Sequence, residues 1–127
     1  MKEAILIGVG GALGALSRYG ISAVAKHVSP SPLPFGTFVA NMLGCFAIGL
    51  IAALATESSY ISKELQAALT VGFLGGLTTF SSFSYETIRL ADTQDWRYSV
   101  ANVLANVLVG VSMTIAGMLV ARRWIAI

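Results

Sequence analysis

Charge is scarce in this sequence: Asp, Glu, Lys and Arg make up 11% of its 127 residues. A soluble domain carries about 25%, so these side chains cannot furnish a water-facing shell. The formal net charge is +2 and there is no basic run, which removes the electrostatic footprint of a nucleic-acid binder. Cysteine is nearly absent. Cys45 alone excludes an intramolecular disulfide and any multi-cysteine metal site, and inside an apolar run it reads as a small packing residue. The lone histidine, His27, sits in a polar, proline-rich segment and reads as solvated, because one imidazole without partner ligands makes no metal site. No nucleophile, base and orienting group converge by spacing, so the chain does not read as an enzyme.

What is abundant is apolar surface, 56% of the residues with a mean hydropathy of +0.78. This points to an all-α integral membrane protein. A spanning helix needs about 20 apolar residues, so 127 residues hold four at most, with short loops and no room for a soluble domain. The expected spans are 4–25, 35–55, 65–90 and 98–120, forming a single four-helix transmembrane domain over 1–127. The start, Met1-Lys2-Glu3 and then an apolar run, resembles a signal peptide. The run continues too far, however, and Arg18 stands where a cleavage site would lie, so this is read as an uncleaved first span.

The third span is the unusual one. It contains Gly75-Gly76-Leu77-Thr78-Thr79-Phe80-Ser81-Ser82-Phe83-Ser84, where two glycines and two β-branched residues disfavour a helix through backbone entropy and χ1 crowding. A break is expected here, near the bilayer midplane. In hydrocarbon such a break leaves backbone groups unpaired, so it survives only when buried in protein, lining a wet path or coordinating an ion. Phe80 and Phe83 fall on one face beyond it, beside a row of hydroxyls. They either pack in the membrane or turn their positive ring edges toward an anion path. Glu86 comes about 12 Å past the break, toward one membrane surface, where a vestibule, packing or transport role is open.

Polar residues punctuate the other spans. Gly8, Gly10, Gly11 and Gly14 make a surface that another backbone can approach closely. Arg18, four residues on from Gly14, either snorkels to the headgroups or faces an aqueous cavity. Pro30, Pro32 and Pro34 end the first span and set the entry to the second, which is apolar except for Thr37 and Asn41. The Asn41 amide either joins helices or offers its NH2 to an anion. The stretch from Glu57 to Glu64 turns the chain, as does that from Asp92 to Arg97. In the fourth span Asn102, Asn106 and Gly110 share one stripe, and the two amides should face a partner helix or a wet track rather than lipid. Arg122, Arg123 and Trp124 anchor its end.

Four spans place both termini on one side, with Lys2, Lys63, Arg122 and Arg123, against Lys26, Arg89 and Arg97 on the other. Four against three gives almost no orientation bias. A chain that inserts both ways can pair antiparallel as a dual-topology homodimer, which would bring two broken helices together.

These motifs, taken together, resemble the small bacterial fluoride channels, the Fluc or CrcB family. The resemblance covers essentially the whole chain. Besides the run from Gly75 to Ser84, it includes Gly10-Gly11-Ala12-Leu13-Gly14-Ala15-Leu16-Ser17-Arg18-Tyr19 and Gly36-Thr37-Phe38-Val39-Ala40-Asn41-Met42-Leu43-Gly44. It implies passive fluoride export through two pores of an antiparallel homodimer in the bacterial inner membrane, with lipid around it. It also implies a structural sodium ion on the dimer axis, held by the main-chain carbonyls of Gly75 and Thr78. Phe80 and Phe83 would line the pore with Asn41, Ser81 and Ser82 its polar side, Asn106 and Asn102 the fourth-helix track, and Arg18 and Glu86 the vestibule. Gly110 departs from the pattern, offering no side chain where relatives often have Ser. Two rival readings are a small proton-coupled multidrug exporter, for which Glu86 is the only candidate carboxylate, and a non-transporting membrane scaffold.

Overall fold

Near-uninterrupted apolar sequence between polar turns produces helices limited by their caps rather than by their interiors. The computed structural model describes residues 1–57 and 61–126. Helix α1 spans Lys2–Val28 and stops where Ser29 turns extended, returning its N–H to the Ala25 carbonyl at 2.9 Å ahead of Pro30. The proline segment is folded by the Ser31 hydroxyl, which accepts from the Leu33 N–H at 3.2 Å. Helix α2, Phe35–Glu57, begins directly behind Pro34, whose carbonyl accepts the first turn's N–H from Phe38 at 3.0 Å. Of the expected turn from Glu57 to Glu64, residues 58–60 lie outside the described residues.

The third long helix is assembled from pieces. Ser62 caps α3, Lys63–Ala67, by accepting from the Leu65 N–H at 3.2 Å. A π-helical stretch, Ala68–Leu74, then leads into the single turn α4, Gly75–Leu77. Thr78 and Thr79 are extended, and α5 resumes over Phe80–Thr93. After the turn capped by Asp95, whose carboxylate accepts from the Arg97 N–H at 3.0 Å, the fourth segment comprises α6, Trp96–Leu104, a π-helical turn Ala105–Val109, and α7, Gly110–Ile125. Neither π-helical stretch was expected. One inserted residue per wide turn leaves no mark in hydrophobic spacing.

Among the described residues four helices are long and apolar enough to cross a membrane, and the chain is a multi-pass membrane protein. Each runs past the expected span by a few residues at most ends, because polar residues at the flanks continue the helix until a cap stops it.

Helix α1 lies against the π-helical stretch and α4, α2 against α7, and α5 against α6. Two contacts depend on the absence of a side chain. A Cβ on Gly14 would collide with the Phe73 carbonyl, and Gly49 and Gly117 bring α2 and α7 together, each facing a carbonyl of the other helix, Thr114 and Phe46 respectively. Such approach substitutes dispersion between backbones for a hydrophobic driving force that hydrocarbon does not supply. The buried core is correspondingly small, built on Ala40, Leu74 and Leu77 with Ile21, Ile48 and Phe73 packed around it. Large apolar side chains on the outer faces, among them Leu16, Val71, Ile88 and Leu108, are exposed in the single chain.

Candidate functional site

The interruption falls on the two threonines, not on the glycines. Thr78 sits at φ −84°, ψ 155° and Thr79 at φ −152°, ψ 123°, both extended. Thr79 serves as N-cap of α5, its hydroxyl accepting from the Ser82 N–H at 3.1 Å, and the Ser81 and Ser82 hydroxyls each approach it to 3.2 Å.

Asn41, from α2, replaces the helical partners that Thr79 has lost. Its Oδ1 accepts from the Thr79 N–H at 2.9 Å, while its Nδ2 donates to the Thr79 carbonyl at 3.3 Å and to Oδ1 of Asn106 at 3.4 Å. A buried backbone pair that would otherwise be costly is thereby satisfied. The same bond has a second effect: the Gly75 carbonyl, whose helical donor would be the Thr79 N–H, is deprived of it. The Thr78 carbonyl is approached only by Nη1 of Arg18, at 3.5 Å. The same rule deprives the carbonyls of Gly76 and Leu77, so several main-chain oxygens, those of Gly75 and Thr78 among them, stand at the break with weak or no helical engagement.

Asn41, Thr78, Thr79, Phe80, Phe83 and Asn106 line one open groove of about 430 Å³, to which Gly75 also contributes. The Phe80 and Phe83 rings are tilted by 52° with centroids 5.5 Å apart, and Phe80 is 78% exposed to it and to the outer face. Ser81 and Ser82 join this site through Thr79. Asn102 lies deeper: it is buried, donates to the Thr87 hydroxyl at 2.8 Å, and receives the Asn106 amide on its side-chain and main-chain oxygens at 3.2 and 2.9 Å.

Glu86 stands apart from the groove. Its Oε1 accepts from the Thr37 hydroxyl at 2.9 Å, and its Oε2 is buried without a hydrogen-bond partner among the described residues. These two residues line a second cavity of about 110 Å³ beneath the proline loop, together with Lys26 and Arg89. A carboxylate flanked by two cations makes this a mixed-charge mouth rather than a cation trap.

Three participants escaped the sequence reading. In the sequence Thr79 reads only as a poor helix former and Thr37 only as a polar exception, and nothing in its spacing singles out Thr87. A hydroxyl in an apolar helix usually bonds to the preceding turn's carbonyl, so its spacing gives no sign that it also serves a second helix.

Residues 5–118 match the family described as CrcB-like protein, Camphor Resistance (CrcB). The chain belongs to this family. It is similar to the Fluoride-specific ion channel FluC of Geotalea daltonii, 45% identical over 96% of this chain and 98% of that one. Similarity of 42% extends to the protein of the same name from Dehalococcoides mccartyi, covering 92% of this chain and 90% of the relative. The Sorangium cellulosum protein of that name is 39% identical, with 99% of both chains covered. Identity across these CrcB-like chains therefore includes all four spans.

Proposed function

We propose that this chain is a fluoride channel that lets the anion leave the cell passively, without nucleotide or proton coupling. Asn41 carries the reading. Its two N–H contacts, at 3.3 and 3.4 Å, are the longest of its bonds, and both meet the groove that Phe80 and Phe83 line. Bonds of that length are weak, so these are the donors an entering anion would claim first. Fluoride is small and strongly hydrated, and a pore must replace its water with donors yet hold it loosely enough for release. Asn41, the hydroxyls of Ser81 and Ser82 and the positive edges of Phe80 and Phe83 suit that task. Asn106 and Asn102 form the track beside it, Arg18 reaches the Thr78 carbonyl at the break, and Glu86 lines the neighbouring cavity that serves as vestibule in this proposal. Near-full-length similarity to proteins named as fluoride-specific channels supports the choice of ion.

The functional unit in this proposal is an antiparallel homodimer in the bacterial inner membrane, with the helix break at mid-bilayer. Two observations support pairing. The groove is open on one side in the single chain, and the near-balanced flanking charge favours neither orientation. Sodium fits the break chemically, because main-chain carbonyls released from a helix are the oxygens that unwound membrane helices offer to such ions, and the 3.5 Å contact of Arg18 on the Thr78 carbonyl is long enough to yield to one. Gly75 and Thr78 supply only two from one copy, so the second copy would complete the cage.

The exporter and scaffold readings find no support beside this similarity. Fluoride efflux from liposomes containing the purified protein, followed with a fluoride electrode beside a matched chloride run, tests the proposal. Rapid release of fluoride with little chloride is expected; release of neither ion from folded protein overturns it.

A further inference from the structure

The amide of Asn41 could face either way unless something fixes it. One end is fixed by the Thr79 N–H, which only an oxygen can accept, so Oδ1 points there. The other end is reached through a chain of hydrogen bonds. Thr87 donates its single hydroxyl hydrogen to the Phe83 carbonyl at 2.7 Å, leaving its oxygen able only to accept. Asn102 must therefore turn its NH2 toward Thr87, at 2.8 Å, and its Oδ1 toward Asn106. Asn106 in turn directs its NH2 to Asn102 and its Oδ1 to Asn41 at 3.4 Å. Every link permits only one polarity. Thr87 is 9% exposed and Asn102 6%, so water has little access to reset the deep end. The Thr87 carbonyl also accepts from the Ser99 hydroxyl at 2.9 Å, fastening α5 to α6 at the same level.

We infer that Thr87 is a positioning residue: by orienting the Asn102 amide it adds a second acceptor to the one that the Asn102 main chain offers Asn106, and so holds in place the Asn106 oxygen that Asn41 faces across the groove. It touches no permeating ion. Asn102 shares this role, since its amide is engaged on both sides within the protomer, and it supports the track from its deep end. This rests on the channel reading only where flux is measured; the orientation itself does not.

The chain has three asparagines, 41, 102 and 106, so asparagine-selective isotope labelling yields one side-chain amide signal pair from each. Thr87→Val keeps the shape and removes the acceptor; Thr87→Ser keeps the acceptor. In detergent-solubilised protein, Thr87→Val is expected to shift the Asn102 and Asn106 side-chain amide signals and speed their hydrogen exchange, with Thr87→Ser close to the parent. Fluoride efflux should fall about tenfold with Thr87→Val and stay within about twofold with Thr87→Ser, the difference made by one buried acceptor. Unchanged Asn106 signals in Thr87→Val, or equal disturbance by both variants, overturns the inference. Signals that respond as expected in a protein that passes no fluoride leave the positioning role standing and sink the channel reading instead.

Discussion

Thr37 on α2 and Glu86 on α5 are joined by a hydroxyl-to-carboxylate hydrogen bond of 2.9 Å, a direct side-chain link between the second span and the far side of the break. Because Oε2 of Glu86 is already without a partner, loss of the Thr37 hydroxyl would leave both oxygens bare. Thr37→Val is expected to reduce fluoride efflux about three- to tenfold, with Thr37→Ser near normal, as befits one charge-assisted bond. Electrode-monitored release from matched liposomes checks it, and equal rates for both variants would remove Thr37 from the pathway.

Asn41→Asp presents an acceptor-only group where the amide donates to the Thr79 carbonyl and Asn106. It also places negative charge where an anion must pass. Efflux should drop by at least about a hundredfold, since like charges in a poorly hydrated path repel strongly, while size-exclusion behaviour stays that of the parent. Phe80→Ile, which removes the polarised ring edge, should likewise lower efflux sharply without altering assembly.

Gly14→Ala drives a methyl group into the Phe73 carbonyl, whereas Gly8→Ala meets nothing within 4 Å. The first is expected to destabilise the fold by about 1–3 kcal/mol, the usual range for overpacking, and the second to be close to neutral. Thermal unfolding in detergent separates the two. Similar midpoints for both variants would mean that α1 does not seat on the broken helix as described.

Sodium removal should loosen the proposed dimer. Exchange of subunits between donor- and acceptor-labelled samples is expected to accelerate when sodium is replaced by a bulky organic cation, because Gly75 and Thr78 carbonyls from two copies would then face one another unneutralised. Exchange indifferent to sodium would leave those oxygens needing another partner.

Much of this architecture was readable from residue types. Asn102 and Asn106 at a spacing of four had to share a face, and they do so, bonded to each other. The break was legible as a neighbourhood but not as a position: Gly75 and Gly76 disfavour a helix by entropy, yet they stay helical in α4, where a Cβ on Gly76 would collide with the Gly11 carbonyl. The χ1-restricted threonines yield instead, and Asn41 compensates them. That compensation comes from a residue 38 positions away. Local propensity says where a helix is weak; only tertiary contact decides which peptide gives way. Thr37 with Glu86, and Thr87 with Asn102, were illegible for the same reason, since each pair spans two helices whose rotation spacing alone does not fix.

The glycine-mediated seat of α2 on α7 bears on biogenesis. Gly49 and Gly117 belong to the second and fourth spans, so the main partner of α2 reaches the membrane only after the whole broken helix has been inserted. Until then Asn41 can meet Thr79 and Thr37 can meet Glu86, but Asn41 lacks Asn106 and Gly49 lacks the carbonyl of Thr114 that it faces. Synthesis halted between Thr93 and Trp96 would leave α2 packed on α1 and the third span alone, with its glycine face still open to lipid.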